Sequence, residues 1–135
     1  MQQSSPSRSW QNAVPRLGFV GLGNMGAALA MRLVGQPLSV FDADPEKSAV
    51  FAADDVAVAA SLQELAADSD IIFTCLPTSA VTEKLLFGPV GLSAHLTADH
   101  IIVDMTSGDP AQSRDQAARL AASGICFADA PVSGG

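Results

Sequence analysis

The chain has 135 residues, of which 48% are hydrophobic and 16% charged, and its formal net charge is −7. This length fits one domain with a core, and the composition is not that of a disordered chain. The negative charge argues against nucleic acid and anionic membrane surfaces as partners, and no apolar run approaches the ~18 residues needed to span a bilayer.

Short apolar runs alternate with helix-like segments along the chain. The first 16 residues are rich in Ser, Gln and Pro, so we expect a flexible tail at 1–16 and an α/β domain at 17–135. The predicted strands are 17–21, 38–42, 56–58, 71–76, 101–104 and 125–128. The predicted helices are 24–34, 45–53, 61–67, 80–86 and 110–123. Regular alternation of strand and helix favours a doubly wound, mainly parallel six-stranded sheet with helices on both faces.

Three glycines with GxGxxG spacing separate the first strand from the first helix. In this arrangement Gly21 allows the tight turn, Gly23 lets the backbone approach a pyrophosphate, and Gly26 permits close packing of helix on strand. The helix dipole and its free N–H groups add affinity for an anion. The alternative is an ordinary glycine-rich turn. In this context of strand, loop and helix, the motif predicts a Rossmann-type fold and a dinucleotide site formed by Gly21, Leu22, Gly23, Asn24, Met25 and Gly26.

The second predicted strand ends on an acidic residue, Asp42, which lies 21 residues beyond Gly21. A carboxylate at this position accepts hydrogen bonds from the hydroxyls of an adenosine ribose and repels the extra phosphate of NADP. The alternative is that Asp42 only begins the turn 42–45, where aspartate is common. The sequence therefore predicts NAD as the cofactor in preference to NADP.

The remaining chemically active side chains predict no further site. Both cysteines, Cys75 and Cys126, lie in apolar strand-like runs, so we expect buried free thiols and a reducing, cytoplasmic setting. The histidines 95 and 100 are expected to be surface or packing residues, and the lysines 47 and 84 to lie on solvated helix faces. The spacing of His, Cys, Asp and Glu predicts no metal site.

Four motifs occur in the order found in one known family: residues 18–26, 41–47, 75–78 and 103–110. Together with the terminal segment 129–135, they resemble the beta-hydroxyacid dehydrogenase family, particularly its hydroxyisobutyrate dehydrogenase branch. Ala43 stands where NADP-preferring relatives usually carry arginine, which supports NAD. Val81 departs from the family pattern, because a polar residue often occupies that place.

The resemblance also implies roles for individual residues. It implies that Leu76 and Pro77 lie alongside the cofactor, and that Ser107, with Thr106 as its neighbour, bonds near the nicotinamide ribose. Ser133 and the N–H groups of Gly134 and Gly135 would bind the carboxylate of the substrate. The implied substrate is a small beta-hydroxyacid similar to 3-hydroxyisobutyrate.

The family's catalytic lysine lies in an all-helical second domain, and neither Lys47 nor Lys84 matches its motif. The resemblance thus implies no catalytic residue in this chain, which would be the NAD-binding part of an oxidoreductase and nearly inactive alone. The complete enzyme is expected to be a homo-oligomer. Two alternatives remain: a non-catalytic dinucleotide-binding or sensing module, and a relative of phosphogluconate dehydrogenase. The second is less favoured, since residues 104–107 lack the Gly-Gly-Asn-Ser pattern of that branch.

Overall fold

Six short parallel strands form the centre of the computed structural model, which describes residues 13–132. The strands are β1 Leu17–Val20, β2 Leu38–Phe41, β3 Ala57–Val58, β4 Ile71–Thr74, β5 Ile101–Asp104 and β6 Cys126–Asp129. The helices are α1 Asn24–Met31, α2 Pro45–Ala49, α3 Leu62–Ala67, α4 Ser79–Phe87 and α5 Pro110–Ala121, with 3₁₀ helices at Val50–Asp54 and Leu92–His95.

The sheet has the strand order β3-β2-β1-β4-β5-β6, and every pairing between these strands is parallel. The chain moves outward from β1 to β3 and then crosses to the other side of β1 to form β4. Strand order therefore reverses between β1 and β4, where an open α/β sheet leaves a crevice at its carboxyl edge. This confirms the predicted Rossmann-type, doubly wound fold, with an entirely parallel sheet in place of a mainly parallel one.

Two separate apolar clusters hold helices against the two faces of the sheet. One cluster joins α1 and the first 3₁₀ helix to β1 and β2 through Ala30, Phe51, Phe19 and Val40. The other joins α3, α4 and α5 to β1, β4 and β5, and its buried members include Leu65, Leu86, Leu120, Val20, Ile72 and Ile102. Because side chains alternate along a strand, neighbours such as Phe19 and Val20 contribute to opposite clusters.

Local side-chain caps explain why most helices begin near the predicted residue. Asp44, Ser61, Thr78 and Asp109 each accept a hydrogen bond from an N–H group in the first turn of the following helix. The helix ends differ more. The segment predicted as one helix at 45–53 divides into α2 and a 3₁₀ helix, which places Phe51 in the core. No helix among the described residues is both long and apolar enough to span a membrane.

The prediction that both cysteines are buried is wrong. Cys126 is exposed and Cys75 is partly buried. Cys126 lies on the edge strand β6, and the parallel register aligns it with Ile101. That face of β5 and β6 has no described helix buried against it, since α5 packs on the opposite face through Leu120. Ile101 and Val103 are accordingly only partly buried.

An ion pair between Arg16 and Asp70 fixes the start of the domain at the amino edge of the sheet. The Asp70 carboxylate accepts hydrogen bonds from the Arg16 backbone N–H at 2.8 Å and from its guanidinium at 3.1 and 3.3 Å. Burial raises the pKa of Asp70, but the hydrogen bonds and charge of Arg16 outweigh it and leave the pKa below the usual value. Of the predicted tail, residues 1–12 lie outside the described residues.

Candidate functional site

A cleft of about 1090 Å³ opens at the carboxyl ends of the strands. It crosses the crevice between β1 and β4 and has the glycine loop as its floor. The residues predicted to bind the cofactor line this cleft, with the exceptions of Leu22 and Thr106: they are Gly21, Gly23, Asn24, Met25, Gly26, Asp42, Leu76, Pro77 and Ser107. The predicted substrate-binding residues Ser133, Gly134 and Gly135 lie outside the described residues.

The three glycines of the loop are required for different reasons. Gly21 has a φ of 98°, and a Cβ there would overlap the Cys75 carbonyl oxygen. A Cβ on Gly26 would overlap the Gly21 carbonyl oxygen. Gly23 has an ordinary φ of −65°, and a Cβ there would meet no atom of residues 13–132 within 4 Å. Packing within the protein thus explains Gly21 and Gly26, whereas Gly23 borders open space in the cleft.

Helix α1 begins in the cleft without a side-chain cap. Its N-cap is Gly23, and no described side chain accepts a hydrogen bond from its first turn. The other four α-helices between residues 13 and 132 all have such a side chain. The first N–H groups of a helix have no partner within the helix, and the helix dipole makes this end positive. The floor of the cleft therefore suits an anionic group.

Asp42 connects the second strand to the glycine loop. Its Oδ2 accepts a hydrogen bond from the Leu22 N–H at 2.7 Å, and its Oδ1 accepts one from the Asp44 N–H at 2.8 Å. Asp42 thus begins a turn and also fixes the loop, and each carboxylate oxygen can accept a further hydrogen bond. Leu22 contributes only its backbone here, because its side chain is buried in the core under α1.

The two adjacent hydroxyls after β5 have different surroundings. Ser107 lines the cleft and donates a hydrogen bond to the Val132 carbonyl oxygen at 3.0 Å. Thr106 is 3% exposed, and its Oγ1 accepts a hydrogen bond from the Leu76 N–H at 3.0 Å. The structure therefore places Ser107 on the cleft wall and Thr106 behind it.

The outer wall of the cleft contains residues that the sequence analysis did not assign to a site. Its apolar members are Phe41, Leu62, Val81, Leu85 and Val90. Val81 and Leu85 are four residues apart on α4, which is the spacing of one helix face and could have indicated them. Lys47 and Lys84 are exposed, as predicted for solvated helix faces, yet both also border the cleft.

The remaining candidate groups do not form a second reactive centre in the described part of the chain. His100 is buried, with Nδ1 accepting from the Thr97 N–H and Nε2 lying 2.8 Å from the Ala66 carbonyl oxygen, as expected of a packing residue. Burial, and then the Asp104 carboxylate, raise the pKa of the Cys75 thiol. Within residues 13–132, no three His, Cys, Asp or Glu side chains are grouped to hold a metal ion.

The strand order, the glycine loop and the cleft at the crevice together define a Rossmann-type dinucleotide-binding domain. Residues 16–135 match the family model described as the NAD binding domain of 6-phosphogluconate dehydrogenase. The chain therefore belongs to this family of NAD-binding domains, and its relatives confirm the predicted membership of the beta-hydroxyacid dehydrogenases. The prediction of a nicotinamide dinucleotide cofactor is confirmed at this level.

The chain is similar to enzymes that are considerably longer. It is 38% identical over 122 residues to 2-(hydroxymethyl)glutarate dehydrogenase of Eubacterium barkeri, which covers 89% of this chain and 40% of the relative. The structure of 3-hydroxyisobutyrate dehydrogenase from Mycobacterium tuberculosis with L-serine matches with a TM-score of 0.80 and 34% identity, over 91% of this chain and 42% of that one. The chain thus spans about 40% of the length of these relatives.

A further structural match concerns the cofactor. Psf3, solved in complex with NADP⁺ and 2-OPP, matches with a TM-score of 0.83 and 30% identity, over 88% of this chain and 43% of that one. The fold therefore occurs with the phosphorylated form of the cofactor in a related protein.

Proposed function

We propose that this chain is the NAD-binding part of an oxidoreductase that transfers hydride between a small beta-hydroxyacid and NAD. The observation that carries the proposal is Gly23. Neither its φ nor its neighbours require glycine, and it stands at the uncapped start of α1. A phosphate that approaches the backbone at this point requires the absence of a side chain. The hydroxyacid dehydrogenases among the relatives support the substrate class.

We propose that residues around the cleft hold the separate parts of a dinucleotide. The backbone N–H groups of 21–26 would hold the pyrophosphate, Asp42 the adenosine ribose, and Ser107 the nicotinamide ribose. Leu76 and Pro77 would lie beside the cofactor and exclude water from that end. A nicotinamide held there would supply the acceptor for a hydride from the substrate carbon that carries the hydroxyl.

The test is a pair of glycine variants, titrated with NADH by fluorescence. Gly23→Ala should raise the Kd for NADH at least about tenfold and change the free energy of unfolding by less than about 1 kcal/mol, because the free protein has room for a methyl group. Gly35→Ala is the matched control: Gly35 also borders open space, but it has a φ of 102° and lies outside the cleft. It should lose about 1 kcal/mol of stability and keep its affinity.

Gly23→Ala should therefore weaken NADH binding with little loss of stability, whereas Gly35→Ala should lose stability without losing affinity for NADH. If the wild-type chain binds no NADH, or if Gly23→Ala binds it as tightly as the wild type, the assignment of the cleft is wrong. Unfolding by urea and the fluorescence titration are measured on the same preparations, so that a loss of affinity caused by partial unfolding is recognised.

We propose that NAD is preferred over NADP because of Asp42 and Ala43. The Asp42 carboxylate repels a 2′-phosphate, and Ala43 supplies no positive charge to bind one. Lys47 also borders the cleft, and its positive charge would favour NADP. Asp42→Ala should raise the Kd for NAD more than that for NADP. Asp42→Asn removes the charge but keeps an oxygen acceptor, so it should reduce the ratio of the Kd for NADP to the Kd for NAD. Equal losses for the two cofactors in Asp42→Ala would contradict the ribose role.

We further propose that the proton-transferring lysine belongs to another domain of the whole enzyme, a homo-oligomer acting in the cytoplasm. Neither Lys47 nor Lys84 matches the family motif for that lysine. Ser133, Gly134 and Gly135 are proposed to bind the substrate carboxylate. The 135-residue chain should bind NADH but form none from NAD and a panel of small hydroxyacids. Joined to the helical domain of a relative, it should oxidise at least one of them. Turnover by the chain alone would disprove the proposal that the proton-transferring lysine lies in another domain.

A further inference from the structure

Two loops at the carboxyl edge of the sheet run side by side and are joined at both ends. They are residues 76–79, after β4, and residues 106–109, after β5; together they are called the loop pair below. At one end the Leu76 N–H donates to Thr106 Oγ1 at 3.0 Å. At the other end the Asp109 N–H donates to Ser79 Oγ at 2.7 Å. Each loop thus supplies one hydroxyl acceptor and one backbone donor to the other.

The ends and the middle of the loop pair face different surroundings. Thr106 and Ser79 are buried, at 3% and 7% exposure. Pro77 and Ser107, in the middle of the two loops, line the cleft. Gly108 makes this approach possible, because a Cβ there would overlap Ser79 Oγ. The hydroxyls that join the loops therefore lie behind the residues that are available to a ligand.

A buried polar chain supports Thr106 from below. The Asp104 carboxylate, at the end of β5, accepts a hydrogen bond from the Thr106 N–H two residues further on, at 3.1 Å, and another from Thr74 Oγ1 at 2.9 Å. Thr82 Oγ1, on α4, lies 3.3 Å from Thr106 Oγ1. Thr74, Thr82 and Asp104 are at most 2% exposed. Such a network fixes the direction in which the Thr106 hydroxyl points, since buried polar groups have few alternative partners.

We propose that Thr106 and Ser79, supported by Asp104, are positioning residues that hold Leu76, Pro77 and Ser107 in the shape that binds the nicotinamide half of the cofactor. The inference rests on the proposed function of the cleft. Thr106 then acts through the Leu76 backbone, and does not contact the cofactor directly as the family resemblance implies. A wall that is fixed before binding loses little conformational freedom on binding, which favours affinity.

The test compares two ligands on two Thr106 variants of the 135-residue chain. Thr106→Val keeps the side-chain shape but leaves the partly buried Leu76 N–H without its acceptor. It should raise the Kd for NADH about tenfold and the Kd for ADP-ribose, which lacks nicotinamide, less than about twofold. Thr106→Ser keeps the hydroxyl and should restore NADH affinity to within about twofold of the wild type.

A second measurement separates positioning from direct contact. Hydrogen exchange of the Leu76 amide, followed by NMR in the absence of any cofactor, should be about tenfold faster in Thr106→Val than in the wild type and in Thr106→Ser. Ser39→Ala is the matched control, since Ser39 Oγ is also buried but has no hydrogen-bond partner in the part of the chain that the structure describes; it should change neither NADH affinity nor Leu76 exchange.

Each outcome decides the inference. Unchanged Leu76 exchange in Thr106→Val would assign the hydroxyl to the ligand and overturn the positioning role, and so would equal losses of NADH and ADP-ribose affinity. Failure of the wild type itself to bind NADH would overturn the proposed function and this inference with it. This result can be distinguished from failure of the positioning role alone, because it is measured without any variant.

Discussion

The two sides of the cleft are built by different means. On the side of β1 and β2, backbone geometry shapes the cleft: a left-handed glycine, a helix start without a side-chain cap, and one carboxylate, Asp42, that connects β2 to the glycine loop. On the side of β4 and β5, buried hydroxyls behind the wall hold the loop pair together. The backbone side requires particular residue types at fixed spacing, whereas the hydroxyl side requires particular directions of side chains. A single substitution should therefore damage the two sides to different degrees.

The largest effect is expected at Gly21, on the backbone side. An alanine there would have to adopt a φ of 98° and would overlap the Cys75 carbonyl oxygen, which belongs to the neighbouring strand's loop. We expect Gly21→Ala to lower the free energy of unfolding by about 3 kcal/mol, measured by urea denaturation. A loss below about 1 kcal/mol would show that the glycine loop adapts to a side chain. The β1–β2 side of the cleft would then not require a particular residue type at this position, and the contrast with the β4–β5 side would disappear.

A smaller effect on the free energy of unfolding is expected at Asp70. This residue lies on the opposite edge of the sheet from the cleft and therefore serves as a reference for both sides of the cleft. Its folded-state pKa lies below the usual value of 3.8. The carboxylate therefore contributes stability above that value, and the contribution is lost as the pH falls through the folded-state pKa. Asp70→Asn should cost about 1 kcal/mol at neutral pH, because Arg16 is half exposed, and should converge with the wild type in acid.

The Asp70→Asn variant should also bind NADH as the wild type does. Measuring the free energy of unfolding across the acid range, together with one NADH titration at neutral pH, checks both expectations. A stability difference between variant and wild type that stays constant down to acid pH would contradict the role of the ionised carboxylate, and a change in NADH affinity would show that the two edges of the sheet are coupled.

The smallest effect concerns reactivity and leaves stability unchanged. Cys75 lines the hydroxyl side of the cleft and Cys126 is exposed on β6. Because burial and Asp104 raise the pKa of Cys75, we expect iodoacetamide to modify Cys126 at least about tenfold faster. Saturating NADH should slow modification of Cys75 and leave Cys126 unaffected, as followed by mass spectrometry of the digested protein. Protection of both cysteines, or of neither, would contradict the position of the cleft.

The sequence was most informative where the backbone imposes a rule. The glycine spacing, the acid at Asp42 and the alternation of strands with helices predicted the sheet and the floor of the cleft, because each is a requirement of local geometry. The different surroundings of Thr106 and Ser107 could not be predicted, because adjacent hydroxyls look equivalent until the fold determines which of them is buried. Cys126 was misassigned because an apolar run does not reveal whether a helix covers both faces of its strand.

The loop pair continues the register of the strands beneath it. Ile71 aligns with Ile101 and Thr74 with Asp104 in the sheet, and the same interval of 30 residues separates Leu76 from Thr106 and Ser79 from Asp109. The ladder between β4 and β5 is thus prolonged beyond the sheet by side chains. Lengthening the connection between α4 and β5 leaves this pairing intact, whereas one extra residue inside either loop shifts a donor away from its hydroxyl. Relatives that keep the cleft should therefore vary in length around residues 88–100 and stay constant in length within both loops.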